Sequence, residues 1–333
     1  MTNSSPRIAA VIPLYNGAVH IRTALESVLA QTLAAAEIVV VNDGSTDDGP
    51  AIVEKMARVH PITLLHKENG GQSSARNHGI AHSTSELIAL LDQDDVWYPH
   101  HLERMAAYFR RPRIPELGWV YSNLDEIDEA GNVVMRSVLD TVQAKHPKRS
   151  LFECIAHDMF VLPSATLLSR RAFDAVGGFD ERLSGFEDDD LFLRIFRKGF
   201  DNIYIDRPLS QWRIHGTSAS FSPRMRRSRM IFFRKLVEMC PNDPPRERYP
   251  AMQYLAPRFF PWLVREYTDA VRRADRGAIE TACNDLAFAA SLHNARVRTL
   301  MKLGLPLMRR PGVATACLPL IGSIRPTLRR LLH

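Results

Sequence analysis

An apolar run, Leu87-Ile-Ala-Leu-Leu91, ends in three acids within four residues, Asp92, Asp94 and Asp95. Alternate residues of a strand share a face, so Asp92 and Asp94 point together. Two carboxylates held side by side repel unless a cation lies between them. A hard divalent ion with oxygen ligands, bridging to a diphosphate, satisfies that arrangement; a solvated acidic turn is the alternative. A second acidic run, Glu187-Asp188-Asp189-Asp190, opens the apolar stretch Leu191–Phe196. The helix dipole alone favours acids there. Helical spacing nevertheless groups Asp188 with Leu191, Phe192 and Ile195, toward the buried side, and Asp190 with Arg194 and Arg197. A carboxyl in apolar surroundings has the raised pKa that a general base requires.

Three weaker features accompany these acids. Asn42-Asp43-Gly44-Ser45 is a polar turn suited to a nucleotide's edges, although by itself it is equally a helix cap. The stretch from Asn69 to Gly79 is a glycine-containing loop feeding a helix that carries Arg76, whose guanidinium and nearby amides suit a phosphate or a base; a plain loop with a surface arginine is the alternative. His215 follows an apparent strand and has the chemistry of a further metal ligand or of an ordinary polar residue.

The elements that position them follow from periodicity. Buried strands are predicted at Arg7–Leu14, Glu37–Asn42, Ile62–Lys67 and Leu87–Leu91, with helices at Val19–Gln31, Asp47–His60 and Ser73–His82 between them. Such alternation implies βαβ units and a mostly parallel sheet with helices on its faces, a Rossmann-like nucleotide-binding half. Ligands of these sheets gather at the carboxyl ends of the strands, here Pro13–Gly17, Asn42–Asp47 and Asp92–Asp95. Further strands are predicted at Trp119–Leu124 and Ser164–Ser169 and a helix at Glu187–Lys198, with a polar loop or hairpin over Asp125–Arg149. Beyond Pro223 the pattern is helical, with breaks at Pro241–Pro245, Pro261 and Pro311.

Charge divides the chain. Residues 222–333 carry 21 Lys and Arg against 8 Asp and Glu, whereas the first 221 carry 22 against 29. A basic region of this kind attracts an anionic membrane surface, a phosphorylated acceptor or nucleic acid, or is simply a solvated face. The four scattered cysteines and the absence of a signal-like or membrane-spanning stretch lead us to expect a cytoplasmic protein, at most at the cytoplasmic face of a membrane.

With these residues laid out, the sequence resembles the family 2 glycosyltransferases of the GT-A fold. The matching segments, in order over residues 7–221, are Ile12-Pro13-Leu14-Tyr15-Asn16, Glu37–Asp47, Asn69–Gly79, Leu91–Trp97 and Gly185-Phe186-Glu187-Asp188. The resemblance implies a GT-A domain over 1–221 and leaves 222–333 as a helical basic appendage. It implies an inverting transfer of a sugar, hexosyltransferase-like, from a nucleoside-diphosphate donor to a glycan or lipid-linked acceptor in cell-envelope or other glycoconjugate synthesis. UDP is favoured over dTDP or GDP. By the same resemblance Pro13, Tyr15 and Asn16 line the nucleoside pocket, Asp43 binds base or ribose, and Arg76 and Asp92 hold the nucleotide. Asp94 or Asp95, with His215 nearby, touches Mn²⁺ or Mg²⁺. Asp188 deprotonates the acceptor hydroxyl and Glu187 orients it. Ser164-Ala165 and Gly177–Asp180 match the acceptor-side part of the pattern.

The Gln-x-x-Arg-Trp signature of processive synthases is absent, so transfer of one or a few sugars is expected. A phosphatase of the haloacid dehalogenase type would need Thr where Val96 stands. The rival from another class is a non-catalytic nucleotide-sugar or glycan-binding protein of the same fold. No nucleic-acid partner is expected, because the basic region has no recognition motif interleaved with aromatics; an anionic membrane surface is the expected contact of that region.

Overall fold

The structure, a computed structural model, describes residues 6–110, 116–214, 224–310 and 312–316. It opens with β1 (Ile8–Leu14), α1 (Ile21–Leu29), β2 (Glu37–Asn42), α2 (Gly49–Ala57), β3 (Ile62–His66), α3 (Gln72–Ala81) and β4 (Leu87–Leu90). Their order in the sheet is β3-β2-β1-β4, and every pairing is parallel. Apolar runs without alternation fit such strands because both faces are covered. Ile38 and Val40 join Leu25, Val28, Val53 and Met56 in one layer, whereas Val39 and Val41 turn to Ala75 on the other face. Gly79 lets α3 approach the sheet: a Cβ there would lie 2.6 Å from Val11 Cγ1 and 2.9 Å from Val41 Cγ2.

The rest of the sheet is built from β5 (Val96–Trp97), α4 (His101–Phe109), β6 (Leu117–Ile127), β7 (Val133–Met135), α5 (Leu151–Ala156), β8 (Thr166–Ser169), α6 (Arg170–Asp174), α7 (Glu187–Arg197) and β9 (Asp201–Arg213). The order continues β8-β6-β9-β5, with β7 on β6 as a hairpin. The parallel expectation holds for the first half, and the second half is mixed: β8 runs antiparallel to β4 and β6, and β5 antiparallel to β9, while β6 and β9 are parallel. Between β6 and β8 the chain passes through the β7 hairpin and the short α5, and it returns antiparallel to β6. Helix α4 has no counterpart among the helices predicted from periodicity. It buries His101, Leu102, Met105 and Ala106 behind a stretch whose two histidines mask the apolar stripe.

The chain forms two compact units, residues 1–154 with 158–229, and residues 155–157 with 230–333. The second is helical. After α8 (Arg224–Met239), a π-helical turn at Ala251–Leu255 leads into α9 (Ala256–Arg272), followed by α10 (Arg276–Ser291) and α11 (Ala295–Met308). The Asp275 carboxylate accepts from Ala278 N–H and the Asn294 amide oxygen from Val297 N–H, capping α10 and α11. The expected break at Pro261 does not occur: α9 runs through it, losing one backbone donor while Phe259, Leu263, Val264 and Tyr267 hold the helix by burial. Pro311 lies outside the described residues. No described helix is long and apolar enough to cross a membrane.

Candidate active site

Three loops meet at the carboxyl ends of β1, β2 and β4, and side chains tie them together. Gln93, between the two acids of the Asp92-x-Asp94 pair, accepts from Tyr15 N–H at 2.8 Å and donates to Tyr15 C=O at 3.1 Å. Its amide lies directly over Gly17, where a Cβ would come within 2.4 Å. Asn16 adopts a left-handed backbone (φ 48°), and its amide oxygen accepts from Thr46 N–H at 2.8 Å. Asn16 thus joins the β1 and β2 loops. Tyr15 projects outward, 46% exposed, and Pro13 stands opposite Val41 in the sheet.

Asp43, expected to bind base or ribose, stands at the end of β2 and organises the neighbouring loop. Its buried carboxylate accepts from Lys67 Nζ at 2.6 Å, Gly70 N–H at 2.9 Å and Gly71 N–H at 2.7 Å. These bonds shape the loop that starts α3. Gly71, at φ 86°, holds a conformation that suits glycine at that start.

The acidic turn after β4 is anchored from two sides. The Ser164 hydroxyl accepts from Asp92 N–H at 3.0 Å, and Ser164 C=O accepts from the Trp97 indole at 2.8 Å. Arg213, buried at the end of β9, donates its Nε to Asp94 C=O at 2.8 Å and its Nη1 to the carbonyls of Asp128 and Glu129 at 2.8 and 3.1 Å. Its own N–H donates to Asp95 Oδ1 at 2.9 Å. Burial, followed by the charges of Asp94 and Asp92, raises the Asp95 pKa well above the ordinary carboxylate value, and the Ser164 and Arg213 hydrogen bonds offset only part of this.

Arg76 links this turn to the second acidic run. It is 1% exposed; Nη2 lies 2.5 Å from Asp92 Oδ1 and Nη1 3.0 Å from Glu187 Oε1. Burial opposes its charge, but Asp92 and Glu187 outweigh that and raise its pKa. Glu187 also accepts from the Gln72 amide, and its Oε2 has no hydrogen-bond partner among the described residues. α7 begins after Phe186, which takes a left-handed backbone at φ 63°. Of its four acids, Glu187, Asp189 and Asp190 are buried, and Asp188, expected toward the buried side, is the most open. Half-burial at the start of α7 places Asp188 at the edge of the core that holds Leu191, Phe192 and Ile195. Asp189 accepts from Met159 N–H and Asp190 from Arg194 Nε. Asp188 Oδ1 accepts from the adjacent Asp189 N–H at 2.8 Å. Burial, then the neighbouring Glu187 and Asp189, raises its pKa well above the ordinary value, with Asp189 N–H and Arg76 as partial offsets.

The structure therefore brings Asp92, Arg76 and Glu187 into one chain of contacts, with Asp94 and Asp95 at one end and Asp188 at the other. Asp43 and Asn16 are engaged in shaping loops, and His215 lies outside the described residues. Gln93, Gln72, Ser164 and Arg213 acquire positioning roles. In the sequence Ser164 is marked only by resemblance, and Gln93 only as the spacer of the acidic motif.

Among the described residues no three His, Cys, Asp or Glu side chains form a cage for a metal ion. The donor chemistry nevertheless fits one. Three carboxylates crowd one turn, and burial together with the charges of Asp94 and Asp92 opposes ionisation of Asp95, a cost that a divalent cation would relieve. Ions such as Mg²⁺ commonly take one or two protein carboxylates and complete their shell with water and phosphate oxygens.

Comparison with known proteins bears on the whole arrangement. Residues 9–177 match the family model "Glycosyl transferase family 2". An uncharacterized glycosyltransferase of Rickettsia bellii is 32% identical over 206 residues, 61% of this chain but 29% of that protein, so the chain matches under a third of that relative's length. Among solved structures, S. aureus TarS in complex with UDP-GlcNAc superposes with a TM-score of 0.67 at 17% identity, covering 97% of this chain and 92% of that one. A mannosyltransferase from Pyrobaculum calidifontis, in complex with GDP-Man and Mn²⁺, gives 0.58 at 20% identity, covering 97% and 87%. At these identities the two superpositions establish the shared fold.

Proposed function

The chain belongs to glycosyltransferase family 2, and from that premise we propose that it moves one sugar from a nucleoside-diphosphate donor, UDP favoured, to an acceptor hydroxyl with inversion. The observation that carries this reading is the Asp92–Arg76–Glu187 bridge. It holds a donor-type acidic turn and a basic carboxylate, Asp188, in register across one buried guanidinium. The UDP and UDP-GlcNAc complexes of TarS support the choice of donor class, and the GDP-Man complex keeps other nucleotides open.

In this mechanism Asp188 takes the proton from the acceptor oxygen as that oxygen attacks the anomeric carbon opposite the nucleotide. Its raised proton affinity suits it to that transfer. Glu187, fixed through Oε1 by Arg76 and Gln72, steadies the acceptor beside it. Tyr15, presented by the Gln93 clamp, packs against the nucleoside. Asp94, with Asp95 behind it, would hold Mn²⁺ or Mg²⁺, whose positive charge would stabilise the departing diphosphate. An acceptor belonging to the cell envelope, glycan or lipid-linked, completes the proposal.

The test is donor binding and turnover across a nucleotide-sugar panel, with Mn²⁺ or with chelator, for wild type, Asp94→Ala and Asp188→Asn. The proposal expects one donor to bind only with metal, Asp94→Ala to abolish binding, and Asp188→Asn to bind without turnover. If no nucleotide-sugar binds under any metal condition, a non-catalytic member of the fold becomes the better description.

A further inference from the structure

The helical unit presents an exposed apolar face on α11. α11 buries only Leu305, with Val297, Met301, Gly304 and Met308 half-covered beside it. On the outward side Leu300, Leu303 and Leu307 are 63%, 71% and 52% exposed. Their spacing of three and four residues places them on one stripe along the helix. Arg296 and Arg310, both exposed, lie near the two ends of that stripe, and exposed Lys302 flanks it. α11 itself carries no acid to balance them. From Leu286 to His333 there is no Asp or Glu, against eight Lys and Arg.

We propose that this face of α11 seats the protein on an anionic lipid surface, with the three leucines entering the headgroup boundary and Arg296, Lys302 and Arg310 meeting lipid phosphates. The pattern of apolar stripe, cationic flank and no acid is that of a helix lying in a bilayer interface. A self-associating face of comparable size would be expected to carry charges of both signs so that copies do not repel. Here a second copy would bring cation against cation, whereas an anionic bilayer complements every charge on the face. Short hydrophobic length and the proline at 306 suit a helix that lies on the surface. The proposal concerns the helical unit alone and stands or falls independently of the sugar-transfer chemistry.

The experiment is co-sedimentation of the full chain with vesicles of phosphatidylcholine mixed with phosphatidylglycerol, and with phosphatidylcholine alone, at low and high salt. Two variants accompany it, Leu303→Ser with Leu307→Ser, and Arg296→Gln with Lys302→Gln and Arg310→Gln. Circular dichroism melts of both should overlay the wild type, because none of these side chains is buried. Wild type should bind the anionic vesicles only, and high salt should weaken it. Each cation removed should cost about fivefold in partitioning, and the leucine pair should cost at least as much as one cation. Equal binding to neutral vesicles, no binding to either, or unchanged binding by both variants overturns the proposal. So does a concentration-dependent dimer in sedimentation velocity that the leucine variant abolishes while wild type ignores vesicles.

Discussion

The guanidinium of Arg76 spans Asp92 and Glu187, 2.5 Å from one carboxylate and 3.0 Å from the other, with almost no contact with solvent. Removing one partner of a buried ion pair leaves an uncompensated charge and typically costs about 3–5 kcal/mol. Asp92 is a third exposed, so its share is discounted and Glu187 carries most of the effect. Arg76→Met should therefore lower stability by about 3 kcal/mol. Arg76→Lys should recover part of that while turnover stays low, because an ammonium cannot span both acids. Urea unfolding beside initial rates separates the two effects, and full activity in Arg76→Lys would show that the bridge is unnecessary.

Asp188→Asn should cut transfer by about 10³-fold, within the span for loss of a general base, and leave donor affinity intact. The raised pKa of Asp188 means that folding favours its protonated form. Ionisation then works against the fold as pH rises above the unfolded carboxylate value, so at neutral pH the wild type carries a penalty that asparagine lacks. The melting midpoint of Asp188→Asn should exceed the wild type at neutral pH, and the gap should close as pH falls toward the ordinary carboxylate range. In wild type, kcat/KM should fall as pH drops through a value above that range. A midpoint difference independent of pH would point to packing instead.

Gln93→Ala removes two hydrogen bonds to Tyr15, each worth about 1 kcal/mol. We expect weaker donor binding, by about tenfold for each 1.4 kcal/mol lost, with little change in global stability because the clamp is at the surface. Gln93→Glu keeps the acceptor for Tyr15 N–H and loses the donor to Tyr15 C=O, so it should fall between the two. Calorimetric titration with the donor decides this.

Gly79→Ala places a methyl 2.6 Å from Val11 and 2.9 Å from Val41, both β-branched and held in the sheet. Overpacking of this kind costs about 1–3 kcal/mol, more than the gain of about 1 kcal/mol from better helix propensity. Val11→Ala should partly rescue the variant in the same unfolding assay; additive losses would locate the strain elsewhere.

Much of this arrangement was legible in the residues. The parallel half of the sheet followed from apolar runs such as Glu37–Asn42, whose boundaries match the sequence expectation. Both acidic runs stand at element ends, as their spacing indicated. The remainder depends on long-range contacts that local periodicity does not encode. The sequence around Asp43 does not show that its carboxylate also holds Gly70 and Gly71, 27 and 28 residues away. Gln93 looks like a spacer until the backbone of Tyr15, 78 residues away, is placed against it. The left-handed backbone at Phe186, from which α7 starts, is likewise invisible to a helical wheel.

The separation of Arg76 from Glu187, 111 residues along the chain, also fixes when this machinery can exist. A chain emerging from the ribosome shows its nucleotide-side loops and acidic turn long before α7 is made. Contacts of such sequence separation form late, once the intervening segments have folded. Until then Arg76 has only one of its two carboxylates and Asp188 has not been synthesised. On the proposed chemistry, an unfinished chain therefore lacks the base that activates an acceptor or water, and the order of translation alone keeps activated sugar from being consumed early.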